Sequence, residues 1–172
     1  MKPPFPSSSL ALAIALLTTA CNSPATTSQA GTADPATAAA ASDTLVDPSS
    51  GTECAGKNLR ITRNDVTVVV HGECGDVTIT ASGGTLNFDK ARSIHVEGTR
   101  YTVINQEVGS VRVAGEGNVL NLTTAPRIEV SGSNNTILVT EADEVRFSGN
   151  DNTVNASSEP RVDDGGRGNR VI

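Results

Sequence analysis

The sequence predicts an all-β fold, a single-stranded parallel β-helix (β-solenoid) built from 17-residue coils. Three observations predict it. Chemically alike residues recur in columns seventeen apart, without a gap, from residue 76 to residue 172. Within each copy apolar and polar residues alternate, the period of a strand with one buried face. Aromatics make up 2% of the chain and tryptophan is absent, so an interior must be built from Val, Ile, Leu and Ala rather than from large rings.

The copies begin at Asp76, Ser93, Ser110, Arg127 and Glu144, with a partial one at Arg161. Positions two and four are apolar, as in Ile94 and Val96, Val111 and Val113, Ile128 and Val130, Val145 and Phe147. That spacing predicts the first strand of each coil. Position six holds Gly98, Gly115, Gly132 and Gly149, a corner that needs either φ > 0 or a close backbone approach. Position nine holds Asn118, Asn135, Asn152 and Asn169. Asn tolerates left-handed conformations and bonds neighbouring backbone at turns. Like amides stacked in register also hydrogen-bond along the stack, so this column is expected to be a structural ladder rather than a ligand set. Positions eleven and thirteen, such as Leu120 with Leu122 and Ile137 with Val139, predict the second strand. Position sixteen is small and apolar (Ala91, Val108, Ala125, Ala142) and tucks a corner inward. An irregular copy is expected over residues 59 to 75.

Two strands too short to fold alone, with no helix between them, must stack on their neighbours. The chain then rises about 4.8 Å per coil. An antiparallel sandwich would instead carry Asn-Gly or Asp-Gly hairpins and would have no need of columns at constant spacing.

The outward columns fit the stack. Position one reads Arg127, Glu144, Arg161, and position three reads Arg112, Glu129, Arg146, Asp163. Opposite charges thus lie over one another, where like charges would repel. Each exposed pair contributes under about 1 kcal/mol, and their use is to fix register. Positions ten and twelve pair Thr85 with Asn87, Thr102 with Ile104, Val119 with Asn121, Thr136 with Leu138, and Thr153 with Asn155. A flat row of this kind suits ice or a repetitive polymer, although Val119 interrupts it. Asp164 takes an otherwise apolar position, so the last coil closes the stack with charge or frays.

The amino terminus reads as an address. Residues 1 to 21 carry Lys2, an apolar run from Leu10 to Leu17, small residues and then Cys21. That is the layout of a secretory signal, with a run too short to span a bilayer. Leu17-Thr18-Thr19-Ala20-Cys21 resembles a bacterial lipobox, whose cysteine becomes lipidated, although Thr18 stands where leucine is usual. An ordinary signal peptide cut near Ala20 is the alternative. Residues 22 to 51, rich in Ala, Thr, Ser and Pro, bury too little surface to offset ordering entropy and read as a disordered tether. The solenoid domain is expected over 52 to 172. Cys54 and Cys74 are an even pair twenty residues apart. In an exported chain they suggest a disulfide, with two buried thiols as the alternative. Two cysteines alone make half a metal site.

Nothing in the sequence assembles a reaction. The net charge of −6 argues against nucleic acid, which wants a basic stripe. His71 and His95 join no Ser-His-Asp set, and no Gly-rich phosphate loop precedes a helix. Asp89, Lys90 and Arg92 lie close together as a solvated corner. No catalytic residue, metal or cofactor is expected.

The motifs Val-Ser-Gly-Ser-Asn-Asn-Thr-Ile at 130 to 137 and Phe-Ser-Gly-Asn-Asp-Asn-Thr-Val at 147 to 154 resemble a secreted bacterial family catalogued as "domain of unknown function 3060". The resemblance covers roughly residues 52 to 172. Tyr101 replaces the asparagine in one coil and Val119 the threonine in another. The resemblance implies fold and exported compartment and lends no activity. The reading is an envelope lipoprotein, anchored to a membrane through Cys21, whose solenoid is a structural or interaction module. Its partner class is an envelope protein or polysaccharide. Carbohydrate binding or processing along a solenoid face is the alternative, and ice binding by the Thr row is a third reading.

Overall fold

The computed structural model describes residues 43–172. The predicted signal segment, Cys21 and the tether up to residue 42 lie outside the described residues. Among the described residues every regular element is a strand. Strand partners run parallel and seventeen apart through the body of the domain: Leu86 beside Val103, Val111 beside Ile128, Leu120 beside Ile137, Val145 beside Val162. Parallel pairing at constant offset makes the chain a β-solenoid and rules out the antiparallel sandwich.

The strands follow in chain order as Thr44–Val46, Thr52–Glu53, Asn58–Ile61, Val66–Ile79, Gly84–Val96 and Thr102–Val113. The later coils carry Val119–Thr124, Arg127–Val130, Thr136–Glu141, Glu144–Phe147, Thr153–Ala156, Arg161–Asp164 and Arg170–Val171. The expected two strands per coil hold from residue 119 onward. In the earlier coils they fuse into one long strand that turns the corner unbroken. The difference is local chemistry. Pro126 has no N–H to give to a ladder, and its carbonyl instead accepts from both Asp143 and Glu144 amides at 3.0 Å.

The interior is mainly aliphatic, with buried Asn105, Asn118, Asn135 and Asn152 as its polar members. Val77, Ile94, Val111, Ile128 and Val145 form one buried column, and Leu86, Val103, Leu120, Ile137 and Val154 another. The small sixteenth-position residues Ala91, Val108, Ala125 and Ala142 are buried at the third side. Thin β-branched side chains suit a core only about one sheet spacing wide. Phe88, Phe147 and Tyr101 are the large buried exceptions.

Two details differ from the sequence expectation. The solenoid starts before residue 52: Thr44–Val46 pairs with the strand at Asn58–Ile61, so the first coil begins inside the stretch assigned to the tether. Thr44-Leu45-Val46 is a short run among small polar residues, too brief to stand out as a strand. The irregular copy begins at Asn58 rather than 59. It spans eighteen residues, because Leu59 pairs with Val77 and the register shifts between Val70 and Glu73. The extra residue is accommodated by Gly72 at φ +78, a left-handed position that glycine takes at no steric cost.

The glycine column decides between the two reasons that the sequence left open. Gly98, Gly115, Gly132 and Gly149 do not have positive φ. A Cβ on Gly115 would lie 1.7 Å from the Gly98 carbonyl oxygen, and one on Gly132 1.9 Å from that of Gly115. These glycines are required by the close approach of one coil's backbone to the next. The left-handed residues stand two places later: Arg100 at φ 53, Gly117 at 65, Asn134 at 58 and Asp151 at 56.

Candidate functional site

The stack offers a ladder inside its later coils and three surfaces outside. The ladder is the buried asparagine column. In Asn135 the side-chain Nδ2 donates to the Gly115 carbonyl at 2.9 Å and to Asn152 Oδ1 at 3.1 Å. Its Oδ1 accepts the Asn118 backbone N–H at 2.9 Å and the Asn118 Nδ2 at 3.1 Å. Asn118 and Asn152 repeat the scheme, and Asn169 completes it at the last coil. Buried polar groups are stable only when paired, and here every amide atom is paired. The column therefore has no spare valence for a ligand, and its role is structural. It also explains the glycines, because Gly98, Gly115, Gly132 and Gly149 supply the carbonyls that the asparagines bind. Tyr101 begins the ladder with its backbone N–H on Asn118 Oδ1 at 2.8 Å. Its buried hydroxyl is pushed up in pKa by desolvation and then by the charge of Asp47.

The first surface is charged. Arg112 meets Glu129 at 2.6 Å, Arg146 meets Asp163 at 3.0 Å, and Arg127 meets Glu144 at 3.9 Å. These are the stacked opposite charges expected from the columns. Each of these three arginines faces an acid on an adjacent coil.

The second surface is the corner side, a shallow groove over Gly75, Ala91, Val108 and Gly109, flanked by Lys90 and Glu107. The Asp89, Lys90, Arg92 run does not converge here. Lys90 pairs with Glu107 at 2.6 Å and Arg92 with Asp76 at 3.2 Å, while Asp89 accepts the Gly72 amide at 2.9 Å. The Glu107 hydrogen bond, and then its charge, hold the Lys90 ammonium more firmly protonated than usual. His95 lies 3.6 Å from Glu97, and His71 lies 3.9 Å from Asp89. No group of three or more His, Cys, Asp or Glu converges to hold a metal ion among the described residues.

The third surface is the outward face of positions ten and twelve. Pairing extends it back one coil beyond the sequence reading, to Thr67 and Val69, which stand beside Thr85 and Asn87. Sequence spacing missed these two because the bulge shifts their coil by one residue. Ile104, Val119 and Leu138 protrude here, at 38%, 40% and 40% exposure. From Thr67 to Asn155 the two columns carry no ionisable side chain. The face from Thr67 to Asn155 thus combines neutral polar side chains with exposed aliphatic ones, and Arg170 follows beside Thr153 in the last coil.

At the amino-terminal end Cys54 and Cys74 form a disulfide with their Cα atoms 5.1 Å apart. Thus the paired alternative holds over two free thiols. It ties the first coil to the second beside a side-chain clasp that the sequence did not reveal. Asp47 accepts the Thr62 amide at 2.7 Å, the Arg63 amide at 3.2 Å and the Thr62 hydroxyl. Burial raises the Asp47 pKa, but these bonds outweigh it and hold the carboxyl below its ordinary value.

Comparison with known proteins returns one family. The family model described as "Protein of unknown function (DUF3060)" matches residues 61–111 and 113–168. No curated protein and no solved structure matches significantly.

Proposed function

The chain belongs to the DUF3060 family of proteins of unknown function, and from that premise we propose that it is an exported lipoprotein whose solenoid is a structural or interaction module of the cell envelope. The observation that carries the reading is the Cys54–Cys74 disulfide. Structural disulfides persist in oxidising compartments and are rare in the cytosol. The amino-terminal sequence supports the same compartment: a short apolar run, Leu10 to Leu17, is followed by Thr18-Thr19-Ala20-Cys21. Lipidation of Cys21 would add roughly 0.8 kcal/mol of membrane affinity per buried methylene. The Ala/Thr/Ser/Pro stretch that follows would hold the solenoid clear of the surface. A rod of stacked coils then presents rows of identical spacing, which suit a partner larger than a pocket-sized ligand.

The test is fractionation of cells producing the full chain with metabolic acyl labelling. The wild-type protein is expected to carry label and to sediment with membranes. Cys21→Ala is expected to lose label and to leave the membrane fraction. A wild-type chain that remains in the cytosol with reduced Cys54 and Cys74 sinks the reading.

A further inference from the structure

We propose that the outward face of positions ten and twelve binds an uncharged, N-acetylated β-1,4-linked aminosugar chain lying along the solenoid axis. The inference does not depend on export, since it concerns what this face can hold.

The absence of charge comes first. Position ten reads Thr67, Thr85, Thr102, Val119, Thr136 and Thr153, and position twelve reads Val69, Asn87, Ile104, Asn121, Leu138 and Asn155. Neither column holds an acid or a base over these six coils, and the one base, Arg170, stands beside Thr153 at the terminal coil. On the neighbouring charged face, Arg112, Glu129 and Arg146 follow in successive coils. Charged polymers are recognised by opposite charge, so a face kept free of charge fits a neutral one.

The second argument is spacing. Coils stack about 4.8 Å apart, and positions ten and twelve lie roughly 6.6 Å apart along the strand. The twelfth column alternates strictly: Val69, then Asn87, Ile104, Asn121, Leu138 and Asn155. Its chemistry therefore repeats every second coil, about 9.6 Å. In a β-1,4-linked pyranose chain each sugar is turned by half a revolution from the last. The rise per sugar is close to one coil, and substituents on a given side recur every second sugar. The ligand's two-sugar repeat thus matches the two-coil repeat of the face.

The third argument is complementarity at each step. A pyranose ring offers a face of C–H groups, which suits protruding Ile104, Val119 and Leu138. An acetamido group offers one N–H and one C=O, and an Asn amide supplies an acceptor and donors to both. The threonine column borders the chain with hydroxyls that give or take a hydrogen bond from ring hydroxyls. A cell-wall murein strand shares the backbone but carries peptide carboxylates, which find no cation in the two columns from Thr67 to Asn155 and meet only Arg170, beside Thr153 in the last coil. An ice lattice calls for a uniform row, whereas this one alternates.

The experiment is co-sedimentation of the purified full-length protein with insoluble polymers: chitin, cellulose, starch granules and murein sacculi. Retention on chitin is expected, with about tenfold weaker retention on cellulose, which lacks the acetamido group, and none on α-linked starch. The double variant I104D/L138D changes two exposed side chains and is expected to weaken chitin retention at least about tenfold. R112A/R146A, on the charged face, is expected to bind as the wild type does. Unchanged circular dichroism certifies that both variants are folded. The proposal is overturned by no retention on chitin, by equal retention on all four polymers, or by tighter retention on sacculi than on chitin. Binding that survives I104D/L138D overturns it too, as does inhibition of ice recrystallisation by a protein that ignores chitin. Cell fractionation with Cys21→Ala reads a separate property, so either idea can fail alone.

Discussion

At the scale of single residues, the position-six glycine and position-nine asparagine act as one unit. The Gly115 carbonyl is within reach of Asn135 Nδ2 at 2.9 Å because the backbones of successive coils approach so closely at the glycine. Asn135→Ala would orphan the Gly115 carbonyl and the Asn118 backbone N–H, both inside the fold. Each buried group left unpaired costs about 1–3 kcal/mol, so the variant should lose roughly 4 kcal/mol of unfolding free energy in urea. Gly132→Ala should be at least as damaging, since its methyl would meet the Gly115 carbonyl oxygen at 1.9 Å and neither atom belongs to a flexible side chain. The control is Asn121→Ala on the exposed face, where a substitution changes stability by within about 0.5 kcal/mol. If Asn135→Ala and Asn121→Ala unfold at the same urea concentration, the ladder is not what holds this corner together.

At the scale of the element, the coil is the unit that the sequence made legible. A spacing of seventeen was readable because every column in the regular coils is set by burial: a one-residue slip would turn Val111, Val113, Leu120 and Leu122 outward together. Thr67 and Val69 were missed on the outward face because Gly72 inserts one residue into their coil. The first coil was lost for a related reason. It is held less by an apolar column than by connections between coils, namely Asp47 to Thr62 and Arg63 and the disulfide from Cys54 to Cys74. The left-handed eighth position was also illegible. Arg100, Asn134 and Asp151 share it with glycines, so no single residue type marks it. The disulfide makes the element-scale prediction. Its loop spans 20 residues, and closing a loop of that size restricts the unfolded chain by about 3 kcal/mol. The double variant C54A/C74A should lose about that much in chemical denaturation while keeping its strand content by circular dichroism. A midpoint equal to that of the wild type would mean that the bridge adds nothing to the first coil.

At the scale of the whole molecule, stability is a sum over neighbours. Each inner coil is paired above and below, as Val111–Val113 is with the strands on either side, whereas the last strands at Arg161–Asp164 and Arg170–Val171 each pair on one side. In such a stack, opening starts where a coil has one neighbour and propagates inward. The two ends are not equivalent. The first coil carries a covalent bridge, whereas all four residues of Arg161–Asp164 are exposed and Val162 stands at 50% exposure. Asp164 does supply a closing contact, since its carboxylate accepts the Gly166 amide at 2.9 Å and Asn169 Nδ2 at 2.8 Å. That satisfies the end of the asparagine ladder but buries no apolar column. Hydrogen exchange read by mass spectrometry should therefore grade along the axis. Peptides from 161–172 should exchange first, those from 44–61 later, and those from 94–139 last. Reducing the disulfide should move 44–61 toward the fast group and leave 161–172 unchanged, because coupling in a stack weakens with each intervening coil. Equal protection of 161–172 and 94–139, or a single rate along the domain, would show that the rod opens all at once and that nearest-neighbour pairing does not govern it.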